Sequence, residues 1–379
     1  MTTAARREQG SAGEVLFVAF ELGNSRWKIG STIGHGQKPR EKTVRAGDTV
    51  AAMEEIQRAR KRFGLGDEVQ VVSCFEAGRD GFWLHRKLVS EGIASIVIDP
   101  ASMGVDRRRK RAKTDRIDLG RLLSHVIRWH GGERKVWSVV NVPTVGDEDA
   151  RWFHRELEEL GREKTAIRNR IMALLVTQGV RIVVGRDFLE QLERVRLWDG
   201  SRLPPQLHAR VKREHRRLEL IGIQIKELIT QRREALRRSD DPRVAQVRTL
   251  RRLRGVGDTG SWTLVMEFFG WRRFRNRRQV GSLAGLTSTP YDSGDSCRDQ
   301  GIGKAGNRRV RVVAVELAWC WLRFQPQSEL AQWYQQRFAG RGKKGRRIGI
   351  VALARKLLIA WWRYLEFDIV PAGAVLRAD

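Results

Sequence analysis

Val15-Leu16-Phe17-Val18-Ala19-Phe20-Glu21 is a run of six apolar residues closed by an acid, with the turn pair Gly23-Asn24 just beyond. An unbroken apolar run of this length, rich in aromatic and β-branched residues, reads as a strand buried on both faces. Arg26 to Thr32 follows as a second strand and Thr49 to Arg62 as a helix. Val69 to Glu76 is another apolar strand ending on an acid, Phe82 to Glu91 a helix, and Ala94 to Asp99 a strand stopped by Pro100. Strands alternating with helices predict an α/β sheet. Residues 1–13 are small and polar and read as a frayed tail, so the first domain is placed at 14–148.

Around Asn141-Val142-Pro143 and Gly146-Asp147-Glu148-Asp149 the pattern changes, and residues 149–240 read as long helices. Leu207, Val211, Leu218, Ile221, Ile225 and Leu228 recur near heptad spacing after Pro204-Pro205. A coiled coil, antiparallel or dimeric, is expected there. Asp240-Asp241-Pro242 ends it, and residues 241–345 form a further all-α unit. Its opening, Leu250 to Gly257 and then Ser261 to Phe269, gives helix, Gly-Val-Gly turn, helix. That is either a plain helical corner or a helix-hairpin-helix whose turn amides meet a phosphate backbone; the flank Arg248, Arg251, Arg252 and Arg254 favours the second. Gly340 to Arg347 reads as a basic linker, and the last apolar helix, Ile348 to Leu365, lies in a closing segment at 346–379.

The chain of 379 residues carries 73 Lys plus Arg against 44 Asp plus Glu, a formal charge of +29. Its sequence pI is about 11.2. So large an excess needs a polyanion, and nucleic acid is the expected partner, because releasing counterions from phosphates drives binding. A membrane is not expected, since no segment approaches the roughly 18 apolar residues of a spanning helix. Cys74, Cys297 and Cys320 lie far apart without CxxC spacing. Neither a zinc site nor a disulfide framework is indicated, and a cytoplasmic, nucleoid-associated location is expected.

The most basic stretch, Arg107-Arg108-Arg109-Lys110-Arg111-Ala112-Lys113-Thr114, runs into Asp115-Arg116-Ile117-Asp118. Two carboxylates three residues apart share one helical face and can hold a divalent cation against a polyphosphate. Taken alone they can equally complement the dipole of a helix that Thr114 would cap. Glu21 and Glu76 change that balance. Both close strands that, as parallel neighbours, would end at one edge of a sheet, and converging carboxylates from different elements are what divalent-metal chemistry needs. Asp80 is a further acid, read as lying in a solvated turn.

The order Glu21, Glu76, Lys113-Thr114-Asp115-Arg116-Ile117-Asp118 resembles the acidic tetrad of DEDD insertion-sequence transposases, relatives of the Piv invertase described as bridge-RNA-guided recombinases. Leu283-Ala284-Gly285-Leu286, Pro290, Ser293-Gly294, Gly301-Ile302-Gly303-Lys304-Ala305-Gly306-Asn307 and Arg311 resemble that family's C-terminal motif. The resemblance spans nearly the whole chain. It implies a RuvC-like, RNase H-fold catalytic domain at 14–148, a coiled-coil middle and a helical C-terminal transposase domain. It also implies a tetrad of Glu21, Glu76, Asp115 and Asp118 binding Mg2+ (or Mn2+), and Ser293 as a nucleophile that forms a phosphoserine link to DNA. Implied partners are donor and target DNA duplexes, a structured non-coding guide RNA, and further copies of the chain as a dimer or tetramer. The family usually carries Asp where this chain has Glu21, which keeps the charge but lengthens the arm by one methylene.

A serine hydroxyl is a weak nucleophile unless deprotonated or metal-polarised, and no histidine adjoins Ser293. Read without the resemblance, Ser293-Gly294 is an ordinary turn, and Ser288 and Ser296 are neighbouring hydroxyls. Basic residues cluster, with aromatics between them, at Trp271-Arg272-Arg273-Phe274-Arg275-Asn276-Arg277-Arg278, and cluster again at Asn307-Arg308-Arg309-Val310-Arg311, with Lys304 just before. Together with Arg107, Arg108, Arg109, Lys110, Arg111 and Lys113 these are the candidate nucleic-acid contacts, because the guanidinium fork grips phosphate bidentately. Trp319, Trp321, Trp361 and Trp362 read as helix-packing residues. Two rival functions remain compatible with the sequence: a metal-only junction nuclease, and a non-catalytic nucleic-acid-binding protein.

Overall fold

A computed structural model describes residues 14–103, 115–293 and 296–377, and at 115–117, 290–293 and 296–300 it describes the backbone alone. The basic run from Arg107 to Lys113, with Thr114, lies outside the described residues. The chain divides into two compact units, 1–143 and 144–379.

The first unit is built on β1 (Val15–Leu22), β2 (Arg26–Thr32), β3 (Arg40–Arg45), α1 (Thr49–Phe63), β4 (Gln70–Glu76), α2 (Trp83–Ser90), β5 (Ala94–Ile98) and α3 (Asp115–His130). The sheet order is β3-β2-β1-β4-β5. The strands β1, β2 and β3 form an antiparallel meander, while β4 and β5 add in parallel beside β1. Alternation along β1 sends Leu16, Val18 and Phe20 into a core with Ala52 and Ile56 of α1 and Leu84 and Leu88 of α2. Phe17 and Ala19 point the other way, into a core with Leu119, Leu122, Leu123 and Val126 of α3. Covering both faces is why β1 and β4 read as continuous apolar runs. The edge strand β3 was not anticipated from sequence, for a simple reason: of its six residues only Val44 is buried. It is tied to α1 by Arg40, which donates to both oxygens of the buried Glu55 at 2.6 and 3.0 Å.

The second unit begins with the short α4 (Val145–Asp149), closed by a capping box between Thr144 and Asp147. The helices α5 (Trp152–Val176) and α7 (Pro205–Arg238) then pack along one another, with α6 (Phe188–Arg194) covering the end at which Phe188 stacks on His215. Phe153 of α5 packs on Trp262 while Arg232 of α7 reaches Thr259, so the start of one helix meets the end of the other. The heptad-like residues Val211, Leu218 and Ile221 therefore bury against Leu160, Ile167 and Ile171 of the same chain, as an antiparallel pair.

Beyond it lie α8 (Pro242–Arg252), α9 (Asp258–Leu264) continuing as one π-helical turn (Val265–Phe269), α10 (Arg277–Leu283), the hairpin β6 (Ser288–Ser293) and β7 (Ser296–Ile302), α11 (Arg308–Phe324), α12 (Glu329–Tyr334) and α13 (Lys343–Phe367). One core joins them, with Trp321, Trp361 and Phe268 fully buried. Of the four tryptophans expected to pack between helices, Trp321 and Trp361 do so, whereas Trp319 is half exposed. The expected linker is shorter than its composition suggested, because Lys343 to Arg347 form the first turn of α13. Among the described residues no helix is long and apolar enough to cross a membrane.

Candidate active site

Phe20 of β1 pairs with Phe75 of β4 in parallel register, so the next residues, Glu21 and Glu76, end adjacent strands at the same edge. By the two-residue period Glu21 follows Phe17 and Ala19, and Glu76 follows Val72 and Cys74, onto the face that α3 covers. The Cys74 thiol responds to this placement: burial pushes its pKa up, and the nearby Glu76 carboxylate pushes it further in the same direction. Phe20, Glu21, Glu76, Arg79 and Asp80 line a polar cleft of about 280 Å3 at this edge. Asp80, expected in a solvated turn, thus shares a wall with the two glutamates.

The helix α3 runs back across the sheet. His130 at its end packs edge-on against Phe17 near the start of β1, with ring centroids 5.4 Å apart. Leu119 and Leu123 press on Gly30 of β2, so closely that a Cβ at position 30 would collide with both. Cys74 donates to the Leu122 carbonyl at 3.7 Å. From that contact Glu76 stands two strand residues onward, roughly 7 Å, and Asp118 four helical residues back, roughly 6 Å. The first turn of α3, with Asp115 and Asp118, therefore rises beside the edge that carries Glu21 and Glu76.

Carboxylate oxygens are hard donors suited to magnesium or manganese, so the chemistry of the set fits such a cation. Among the described residues no three His, Cys, Asp or Glu side chains converge closely enough to hold a metal. Asp118 instead stands 3.9 Å from Arg121.

Ser293 ends β6, in register with Ser296 of β7, while Ser288 lies at the opposite end of the strand, paired with Ile302. The candidate serine belongs to the second unit and the candidate acids to the first.

The cations divide into two groups. Arg273, Arg275, Arg277, Arg278, Lys304 and Arg308 are exposed. Others are engaged within the fold: Arg272 lies 4.3 Å over the Trp271 ring, and Arg311 donates to the Ala284 carbonyl at 3.2 Å. Asn307 caps α11, accepting from the Arg309 and Val310 amides, and its own amide donates to Glu267 at 3.0 Å. Cations beside the turn at Gly255 are likewise engaged. The Arg254 amide donates to the Val375 carbonyl, Arg248 donates to the Leu236 and Ser239 carbonyls, and Arg251 pairs with Asp258 at 2.6 Å.

One cluster was missed in the sequence. Glu267, 1% exposed, accepts from His154 Nε2 at 2.9 Å and from both prongs of Arg155 at 2.7 and 3.0 Å, besides Asn307. Burial alone would raise its pKa, yet hydrogen bonds from His154 and Arg155 and the Arg155 charge outweigh it and hold the carboxyl well below the usual range. The signal that could have found it is a lone acid inside the apolar run Leu264-Val265-Met266-Glu267-Phe268-Phe269, because buried carboxylates are almost always paired.

Residues 247–334 match the family described as "Transposase IS116/IS110/IS902 family". The chain is 41% identical to "Putative transposase y4rJ" of Sinorhizobium fredii over 99% of its own length and 97% of that protein's. It is 27% identical to "Transposase for insertion sequence element IS1328" of Yersinia enterocolitica, over 55% of this chain and 60% of that one.

Proposed function

The chain belongs to the IS116/IS110/IS902 transposase family of insertion sequences, and from that membership we propose that it is a DNA recombinase in which a metal-binding acidic tetrad works with a serine nucleophile. The tetrad is Glu21, Glu76, Asp115 and Asp118 of a RuvC-like domain, and the nucleophile is Ser293. The observation that carries this reading is that Glu21 and Glu76 end neighbouring parallel strands at one edge, on the face that α3 covers. Magnesium, when bound by such a set, supplies charge neutralisation and polarises oxygen. The residues of the chain do the rest. Carboxylates brought to one edge keep that edge anionic until a cation and a phosphate meet there, and the exposed arginines draw the DNA backbone in. The Ser293 oxygen forms a bond to phosphorus, its proton passes to solvent or base, and the sugar oxygen of the broken strand leaves with a proton.

Target choice by a structured guide RNA, and assembly of the chain into a dimer or tetramer, belong to the same proposal. Their support is the motif resemblance together with a charge of +29, large enough to engage RNA and DNA at once. The test is strand cleavage of DNA bearing the element's ends, with magnesium and any copurified RNA present. Both Ser293→Ala and Asp115→Ala should abolish cleavage, and a protein-DNA adduct on denaturing gels should vanish with the serine. Cleavage that survives Ser293→Ala would overturn the serine and leave a metal-only nuclease.

A further inference from the structure

The first half of α13 and the start of α10 face each other across a groove of about 710 Å3 in the second unit. Arg277, Arg278, Lys344, Arg347, Arg355 and Lys356 line it, and among the described residues no lining residue is acidic. Among the described residues none of these six cations is paired with a carboxylate. Unpaired like charges around one groove repel each other, each close pair by roughly 0.5–1 kcal/mol in water, so the groove gains most from a polyanion.

Its floor has a different character. Ile302, Trp333, Ile348 and Val351 line it, with Ile348 57% exposed and Lys356 Nζ lying 4.6 Å over the Trp333 ring. A duplex presents sugar and phosphate to a surface and would leave that apolar floor wet. An unpaired strand offers phosphates for the rim and base faces for the floor. The groove opens beside Ser288 and Gly301, at the base of the hairpin whose tip carries Ser293, roughly 17 Å away along five strand residues.

We infer that this groove seats an unpaired stretch of DNA strand, with its phosphates on the six cations and one base against Ile348 and Val351, next to the segment offered to Ser293. The inference rests on the recombinase reading for the identity of the polyanion. It adds that the enzyme holds its substrate partly melted.

The experiment uses the full chain, a 5′-labelled oligothymidine carrying a single 2-aminopurine, and a blunt duplex of equal length, read by fluorescence anisotropy across a salt series. Arg347→Ala combined with Lys356→Ala should weaken the single strand by about 10-fold or more and flatten its salt slope by about 1.4, two contacts at roughly 0.7 each. Duplex affinity should change by less than about 3-fold. Ile348→Ser should remove the 2-aminopurine response and keep the salt slope. Melting curves matching the parent chain show that the variants fold. Equal losses for strand and duplex would overturn the inference in favour of a backbone contact; no loss, or displacement of the strand by polyglutamate at equal charge, would overturn it outright. The adduct assay is separate: adduct formation by wild type with no strand preference sinks the groove alone, and strand preference without any adduct sinks the serine alone.

Discussion

Cys74 donates its thiol hydrogen to the Leu122 carbonyl at 3.7 Å, and this contact sets the height of α3 against β4. Cys74 is fully buried and has no room to grow. Replacing it with Leu overpacks the interface at a cost of about 1–3 kcal/mol and moves the first turn of α3 relative to Glu76. DNA cleavage by Cys74→Leu should fall further than by Cys74→Ala at equal folded fraction. Because burial and then Glu76 raise its pKa, native Cys74 should stay unmodified by a disulfide reagent at pH 8 and react only on unfolding.

Glu21→Asp restores the residue usual in the resembling family, and the carboxylate remains at the edge beside Glu76. Cleavage should stay within about 10-fold of the parent, while Glu21→Gln or Glu76→Gln lowers it by about 100-fold or more, the equivalent of several kcal/mol of lost charge stabilisation. Equal activity of Glu76→Gln and the parent would remove that acid from the site.

Glu267 makes the second unit sensitive to acid. A carboxyl held below its unfolded value, about 4.3, contributes stability that is fully present above that pH and is lost progressively as pH falls below it. Thermal unfolding of the full chain should therefore show the second unit weakening below about pH 4, and Glu267→Gln should flatten that dependence. At neutral pH the same substitution should cost about 1–3 kcal/mol, because it leaves the half-buried Arg155 guanidinium without its carboxylate.

Gly285 has φ +68, and a Cβ there would run into the Ala305 carbonyl oxygen and Arg311 Nη1. Gly306 meets the Leu283 carbonyl in the same way from the other side. Gly285→Ala should destabilise the second unit by more than about 2 kcal/mol in urea, through strain and collision together, whereas Gly301→Ala, which faces open space, should cost only the left-handed backbone term of about 1 kcal/mol.

The buried parts of this molecule were readable because burial leaves a pattern. β1 and β4 are apolar on both faces, and the heptad-like residues of α7 announce their seam, so sheet, strand ends and helix pair follow from the chain. What escaped lies where pattern is absent. β3 buries one side chain, the first turn of α13 has no apolar residue, and reading Lys343 to Arg347 as linker hid the cationic stripe of Lys344, Arg347 and Arg355 that helical spacing brings to one groove. The Glu267 cluster joins residues 113 and 112 positions apart, beyond the reach of any local period. The local roles of Asn307 and Arg311, a helix cap and a hold on the Ala284 carbonyl, rest on partners that no sequence period marks.

The turn at Gly255 is closed by residues from far downstream: Leu376 bridges Leu253, and Arg377 donates to the Val256 carbonyl across 121 residues. Loop closure over such a span comes late, after the intervening helices have drawn its ends together. A ribosome must deliver residue 377 before this corner can be sealed, so a nascent chain halted earlier keeps it open.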